Sequence, residues 1–185
     1  MNRFIIIAGG PGAGKTTLID AIAARGHART LEAGRAIIKA QVAIGGRALH
    51  GEDAGLFAEL MLMHEIRSYE EARDWPGLVF FDRGVPELTG YLSMAGMPPR
   101  AHFDRAAERY RYNGSVFVAP PWREIFVNDT ERKQDWDEAV DSHRRCVAEY
   151  TRWGYDVVTL PKAGVEERAA FVLGRVEAQG RQADR

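Results

Sequence analysis

The stretch GGPGAGKTT, Gly9 to Thr17, sets four glycines ahead of a lysine and two threonines. Residues of these types in this order suit the holding of a polyphosphate. Glycine lets the backbone curl so that successive N–H groups point inward at an anion. The pattern G-x-x-x-x-G-K-[ST] is met by Gly9, Gly14, Lys15 and Thr16, with apolar FIIIA before it and helical spacing after it. Contacts to a nucleotide are expected from Gly9, Gly10, Pro11, Gly12, Ala13, Gly14, Lys15, Thr16 and Thr17. The ammonium of Lys15 would reach the β- and γ-phosphates, and the Thr16 hydroxyl is a hard oxygen ligand suited to Mg²⁺. The helix beginning near Lys15 adds partial positive charge. The alternative is a plain glycine-rich turn, and so complete a motif in this context argues against it.

A second group follows a later apolar run. VFFDRG ends in Asp82, at the C-terminal end of an expected buried strand. In a doubly wound sheet such ends line the ligand crevice, so Asp82 is read as a Mg²⁺ partner opposite Thr16. Its alternative is a helix cap ahead of Pro86. Many nucleotide hydrolases place a water-activating glutamate after this aspartate. Here Arg83 follows, a cation suited to an anionic acceptor group or the transferring phosphoryl. In EAGR, Glu32 could accept a hydroxyl proton and Arg35 bind a second anion, or the two could form an i,i+3 ion pair on a solvated face. Within PPWREIFVNDTERKQDW, apolar Trp122, Ile125, Phe126 and Val127 accompany basic Arg123, Arg132 and Lys133. This segment reads as a lid, with Arg132 closing on phosphates and excluding water. A polar loop capped by Asp129 or Thr130 is the alternative. Arg144 and Arg145 read as a solvated helix face, and Cys146 as a small helical residue without chemistry.

The elements that must position these groups alternate. RFIIIA, HARTL, GLVFFDRG, GSVFVAPP and YDVVTLP read as strands, with helical patterns between them. Alternation of this kind means a parallel sheet with helices on both faces. The helix Ala54 to Arg73 is expected to turn Leu56, Leu60, Met63 and Ile66 to one side. Residues 1–178 read as one domain with a lid at about 122–136, and 179–185 as a polar tail.

Composition bounds the partners. Twenty-five basic against 26 acidic residues leave a net charge of −1, without the basic excess usual in nucleic-acid binders. No apolar run approaches the ~18 residues of a membrane span. A lone cysteine, Cys146, fits a reducing, cytoplasmic setting. The expected partner is a small phosphoryl acceptor. A guanine-specific N-K-x-D sequence is absent, and an adenine-nucleotide ATPase or switch acting on a macromolecule is the rival reading.

GGPGAGKTTL, EAGRAII, FFDRG, APPWREIF, DTERKQ and LPKAGVEERAAFV, in this order, resemble the AAA-domain family of predicted bacterial ATPases, in the NadR-like group of P-loop proteins. The resemblance spans Phe4 to about Val176. It implies a P-loop three-layer α/β/α fold with a five-stranded parallel sheet ordered 2-3-1-4-5, binding ATP and Mg²⁺. It is closer to nucleoside and nucleotide kinases than to ring-forming machines. DRG is similar to the aspartate–arginine pair of thymidylate-kinase-like enzymes, implying metal and catalytic work for Asp82 and an acceptor-phosphate contact for Arg83. EAGR implies acceptor-site roles for Glu32 and Arg35, and DTERKQ an arginine-bearing lid with Arg132. The implied activity is transfer of the γ-phosphoryl of ATP to a nucleoside or nucleoside monophosphate, with a cytidylate-type acceptor among the options.

Overall fold

Three strands carry apolar side chains on both faces, so both faces must be covered. They are β1 (Phe4–Gly9), β3 (Val79–Asp82) and β4 (Ser115–Ala119), buried at every position. The two edges are weaker: β2 (Ala28–Arg29) is two residues long, and β5 (Asp156–Thr159) exposes its ends. All pairings are parallel and the order is β2-β3-β1-β4-β5, as the resemblance implied. The computed structural model describes residues 2–126 and 136–183.

Strand alternation divides the core into two layers. Ile5 and Ile7 of β1 face α1 (Lys15–Ala23) and α7 (Val165–Ala183), meeting Leu18, Ile22, Ala169 and Val172. Phe4, Ile6 and Ala8 face the opposite layer. That layer is built from α2 (Ala33–Ile44), α3 (Ala54–Ala72), α4 (Glu87–Met94), α5 (Ala101–Arg109) and α6 (Trp136–Arg152).

Two sequence expectations are corrected. Helix α3 buries Phe57, Ala58, Met61, Leu62, Glu65 and Tyr69, while Leu56 and Met63 are 46% and 61% exposed. Two apolar stripes run along this helix, and the winning one contains a carboxyl that made it look polar. The expected tail at 179–185 also starts inside a helix, because α7 runs through Ala183. The Gln179 amide donates to Ser115 Oγ at 2.7 Å and ties that last turn to β4.

The sheet positions the phosphate loop by direct contact. Gly9 pairs with Ala119, and a Cβ on Gly9 would lie 2.5 Å from the Ala119 carbonyl oxygen, at a φ of 129° that side chains rarely adopt. Gly9→Ala is therefore expected to cost about 3 kcal/mol or more in denaturant melts, through overpacking and backbone strain. Gly174→Ala, in α7 with nothing within 4 Å, is the matched control. It is expected to be neutral or to stabilise by up to about 1 kcal/mol.

Candidate functional site

The loop after β1 turns on Gly12 and Gly14, at φ 68° and 74°, before α1 begins at Lys15. Its neighbours hold it tightly. A Cβ on Gly10 would meet the Ala139 carbonyl oxygen of α6, and one on Gly12 would meet the Phe126 ring. From α7, Arg168 Nη2 donates to the Ala13 carbonyl at 3.2 Å. This guanidinium is buried, and its Nε finds no hydrogen-bond partner. Arg168 was not apparent in the sequence, where GVEER reads as an ordinary charged first turn of a helix.

Lys15 is 7% exposed, and its Nζ donates to the Gly10 carbonyl at 2.9 Å. Burial, followed by the charge of Arg83, lowers its pKa, while Asp82 and Glu32 oppose that shift. Thr16 and Thr17 are exposed at the start of α1.

Asp82 closes β3 beside Ile7 of β1, only 4% exposed. Its Oδ1 is buried with no hydrogen-bond partner. Burial raises its pKa and the charge of Lys15 pulls it back. A buried carboxylate oxygen left without a donor is costly unless a cation or donor completes it.

Arg83 turns the chain at φ 73°, the one positive φ outside glycine among the described residues. Its guanidinium bonds Glu87 of α4, four residues on, and its Nε lies 3.8 Å from Glu32 Oε1. Burial opposes its charge, but Glu87, Glu32 and Asp82 together hold its pKa above the ordinary value. Glu32 stands at the N-cap of α2 without capping it by its side chain. Arg35, whose side chain is 41% exposed, lies 3.8 Å from Glu32. The structure thus brings Lys15, Glu32, Asp82 and Arg83 into one electrostatic group, with Arg35 behind Glu32.

Beside the loop opens a cleft of about 440 Å³, reaching from Pro11 past Glu32, Arg83 and Glu87 to Glu65, Cys146 and Glu149. Apolar Phe57, Met61, Leu88 and Tyr91 form its other wall. Arg145 also lines the cleft, and so do Ser142 and Cys146. Arg145 keeps the solvated exposure expected of it, its side chain 48% exposed and paired with Asp141, while Cys146 is buried. Burial pushes the Cys146 thiol well up, so it stays a thiol.

Of the segment expected to form a lid, residues 122–126 and Trp136 are described. Ile125 and Phe126 lie against Gly14 and Gly12, and the Arg123 guanidinium stacks 5.0 Å from the Trp136 ring. The expected lid arginine, Arg132, lies outside the described residues, as do Val127, Asp129, Thr130 and Lys133.

A strand-loop-helix phosphate cradle with a buried carboxylate at the neighbouring strand end is a family arrangement, and residues 4–168 match the family model described as an AAA domain. The chain belongs to this AAA-domain family. No curated protein matches it in sequence. Among solved structures it is similar to a NadR protein in complex with NR, with TM-score 0.68 and 19% identity, over 88% of this chain and 44% of that one. The chain thus spans less than half of that protein. It is similar to deoxyadenosine kinase from M. mycoides, solved with dCMP and dCDP, with TM-score 0.65 and 11% identity, over 95% and 99% of the two chains. It is similar to shikimate kinase from Acinetobacter baumannii in complex with shikimate, with TM-score 0.59 and 15% identity, over 97% and 95%. These likenesses establish a P-loop kinase-like fold. No helix among the described residues is long and apolar enough to cross a membrane.

Glu65 of α3, at the cleft floor, is the other residue the sequence concealed. Burial, then the charges of Asp82 and Glu87, pushes its pKa from an ordinary 4.5 up to about 8. Below the lower value the carboxyl is protonated whether the chain is folded or not. Between the two, only the unfolded chain releases the proton, so folding loses free energy as pH rises; above about 8 the loss is constant. Glu65→Gln, which cannot ionise, is therefore expected to gain stability over the parent by about 3–5 kcal/mol between those pH values and no more beyond. Denaturant melts of both proteins across pH measure this, and a pH-independent difference would refute it.

Proposed function

We propose that the chain transfers the γ-phosphoryl group of ATP, with Mg²⁺, to a small hydroxyl-bearing acceptor seated in the cleft. The supporting observation is that cleft: a nucleoside-sized space adjoining the phosphate loop and containing the buried Glu32–Arg83–Glu87 group. Hydrolysis needs room for one water, whereas a shaped second site of this size suits a second substrate. The similar structures were solved with NR, with dCMP and dCDP, and with shikimate, each a small molecule bearing hydroxyl groups.

Each residue has a role on this reading. The loop N–H groups from Gly9 to Thr17 and the Lys15 ammonium hold the phosphates. Moving Lys15 Nζ from the Gly10 carbonyl to a phosphate oxygen exchanges a neutral acceptor for a charged one, a stronger bond. The residues fit Mg²⁺. Thr16 offers a hydroxyl oxygen, and Asp82 a buried carboxylate oxygen without a donor. Among the described residues no three His, Cys, Asp or Glu side chains gather to hold an ion alone, so phosphate and water oxygens would complete its shell. When bound, the ion neutralises charge on the β- and γ-phosphates.

The acceptor oxygen attacks the γ-phosphorus in line, and the bond from γ-phosphorus to the β,γ-bridging oxygen breaks, leaving ADP. The hydroxyl proton passes to Glu32, which Arg83 orients from one side and Arg35 from the other. Arg132, on the lid segment, is assigned to the transferred phosphoryl. Lys15→Ala and Asp82→Asn are each expected to lower transfer from labelled ATP by 10²-fold or more. The assay runs with Mg²⁺ against a panel of nucleosides, nucleotides and small alcohols. Release of free phosphate alone, unchanged by every acceptor, would sink the reading.

A further inference from the structure

We infer that Arg168 is a positioning residue of the nucleotide site: a cation held behind the phosphate loop that acts on the bound polyphosphate through the Ala13–Gly14 peptide. The inference rests on the reading that the loop holds a nucleotide's phosphates.

The placement of Arg168 is fixed by packing. It lies in the first turn of α7, where its N–H bonds the Gly164 carbonyl at 3.0 Å. The next residue, Ala169, is fully buried and belongs to the same core layer as Leu18 and Ile22 of α1, the helix that the loop runs into. From there Nη2 donates to the Ala13 carbonyl at 3.2 Å. Nη1 stands so near Gly14 that a Cβ on that residue would lie 3.0 Å from it.

This guanidinium has no carboxylate of its own. Arg168 is 4% exposed, its Nε has no hydrogen-bond partner, and no acid among the described residues forms an ion pair with it. The acids on the two helices packed here are engaged or in solvent. Glu166 bonds Arg25 at 2.6 Å, Asp20 lies 3.0 Å from Arg29, and Glu167 is exposed. Burial lowers the pKa of Arg168, but a guanidinium stays charged at any ordinary pH. A buried cation with one carbonyl contact is costly to the free protein. An anion bound nearby relieves that cost, because charge acts farther where water is excluded.

The carbonyl that Arg168 holds shows which donor it serves. The Ala13 carbonyl and the Gly14 N–H belong to one peptide unit. A guanidinium on the oxygen polarises that unit and makes the N–H at its other end a stronger donor. No backbone carbonyl among the described residues accepts from the Gly14 N–H. In a glycine-rich loop an N–H of this kind is an anion-binding group. The same contact fixes the orientation of a peptide that glycine, here at φ 74°, leaves free to turn. Lys15 differs. It bonds the Gly10 carbonyl, but Asp82 and Glu32 oppose the fall that burial and Arg83 impose on its pKa, so carboxylates already balance part of its charge. For Arg168 the polyphosphate supplies that balance.

The test separates charge from tethering. Arg168→Gln keeps a neutral N–H donor for the Ala13 carbonyl, and Arg168→Lys keeps the charge. Binding of a non-hydrolysable ATP analogue and of ADP, each with Mg²⁺, is measured by calorimetry, whose stoichiometry reports the folded fraction. Thermal melts of the nucleotide-free proteins accompany it. Arg168→Gln is expected to weaken both nucleotides by about 30-fold or more, and Arg168→Lys by no more than about fivefold. The free Arg168→Gln protein is expected to melt at or above the parent, since a buried charge has gone. Arg25→Gln, which removes an exposed cation paired with Glu166, is expected to change binding by no more than about twofold. Equal losses in the Lys and Gln variants, with the free Gln protein melting lower, would show a structural tether and overturn the inference. Parent-like binding by Arg168→Gln would overturn it too, while leaving the nucleotide reading standing. A parent chain that binds neither nucleotide would overturn both.

Discussion

The need to pair buried charge governs this structure. Lys15, Asp82, Arg83, Glu32, Glu65 and Glu87 meet at the C-terminal edge of the sheet, where little water reaches them. An isolated charge in such a place is prohibitive, so each group must be matched, hydrogen-bonded or neutralised. All three solutions occur. Arg83 is matched twice, by Glu87 and Glu32. Lys15 is bonded to the Gly10 carbonyl. Glu65 gives up its charge. Asp82 Oδ1 stays unsatisfied, and that atom faces the need for a cation most directly.

The fold meets this constraint with a few rigid placements. Because β3 and β4 flank β1, the chain order reverses there and the crossovers part above the strand ends. Register sets Asp82 beside Ile7, two residues before the glycine turn. Arg83 then bends the backbone into the left-handed region, which costs of order 1 kcal/mol or more for a residue with a side chain. The next residue explains why the bend is kept. A Cβ on Gly84 would lie 2.8 Å from Ile6 Cδ1, so the chain passes close over the core at this point. The turn brings the Arg83 side chain to Glu87 at the start of α4 and to Glu32 at the start of α2. Backbone strain is offset by two ion pairs that a straighter path would not make.

Much of this was legible because local chemistry dictated it. A continuous apolar run such as FIIIAG has no solvent face and must be a central strand. The glycines, Lys15 and Thr16 announce a phosphate loop by type and spacing alone. Asp82 was legible as the first acidic residue after a buried strand. What stayed hidden was decided by tertiary contact. On α3 both apolar stripes satisfied helical periodicity, and Glu65 made the correct one look less apolar. Glu87 and Glu149 carry no local signal of their own, since burial of a carboxylate depends on a partner elsewhere in the chain. Arg168 lies 155 residues from the carbonyl it holds, and no local pattern encodes that bond.

The use made of Arg83 bears on how far a shared motif carries function. In the enzymes that DRG resembles, the implied task of the arginine is an acceptor phosphate. Here its guanidinium is committed to two carboxylates, and a phosphate would have to displace one of them. An arginine fixed in this way does different work. It holds Glu32 in place without neutralising it permanently, because Glu87 shares the same charge. On the proposed reading, a carboxylate so held keeps the orientation that proton acceptance requires. The aspartate and arginine thus keep their places at the strand end, while Glu87 at the start of α4 and Glu32 at the start of α2 take up the arginine's charge. What a guanidinium at this place can bind therefore depends on its partners as much as on the motif that supplies it.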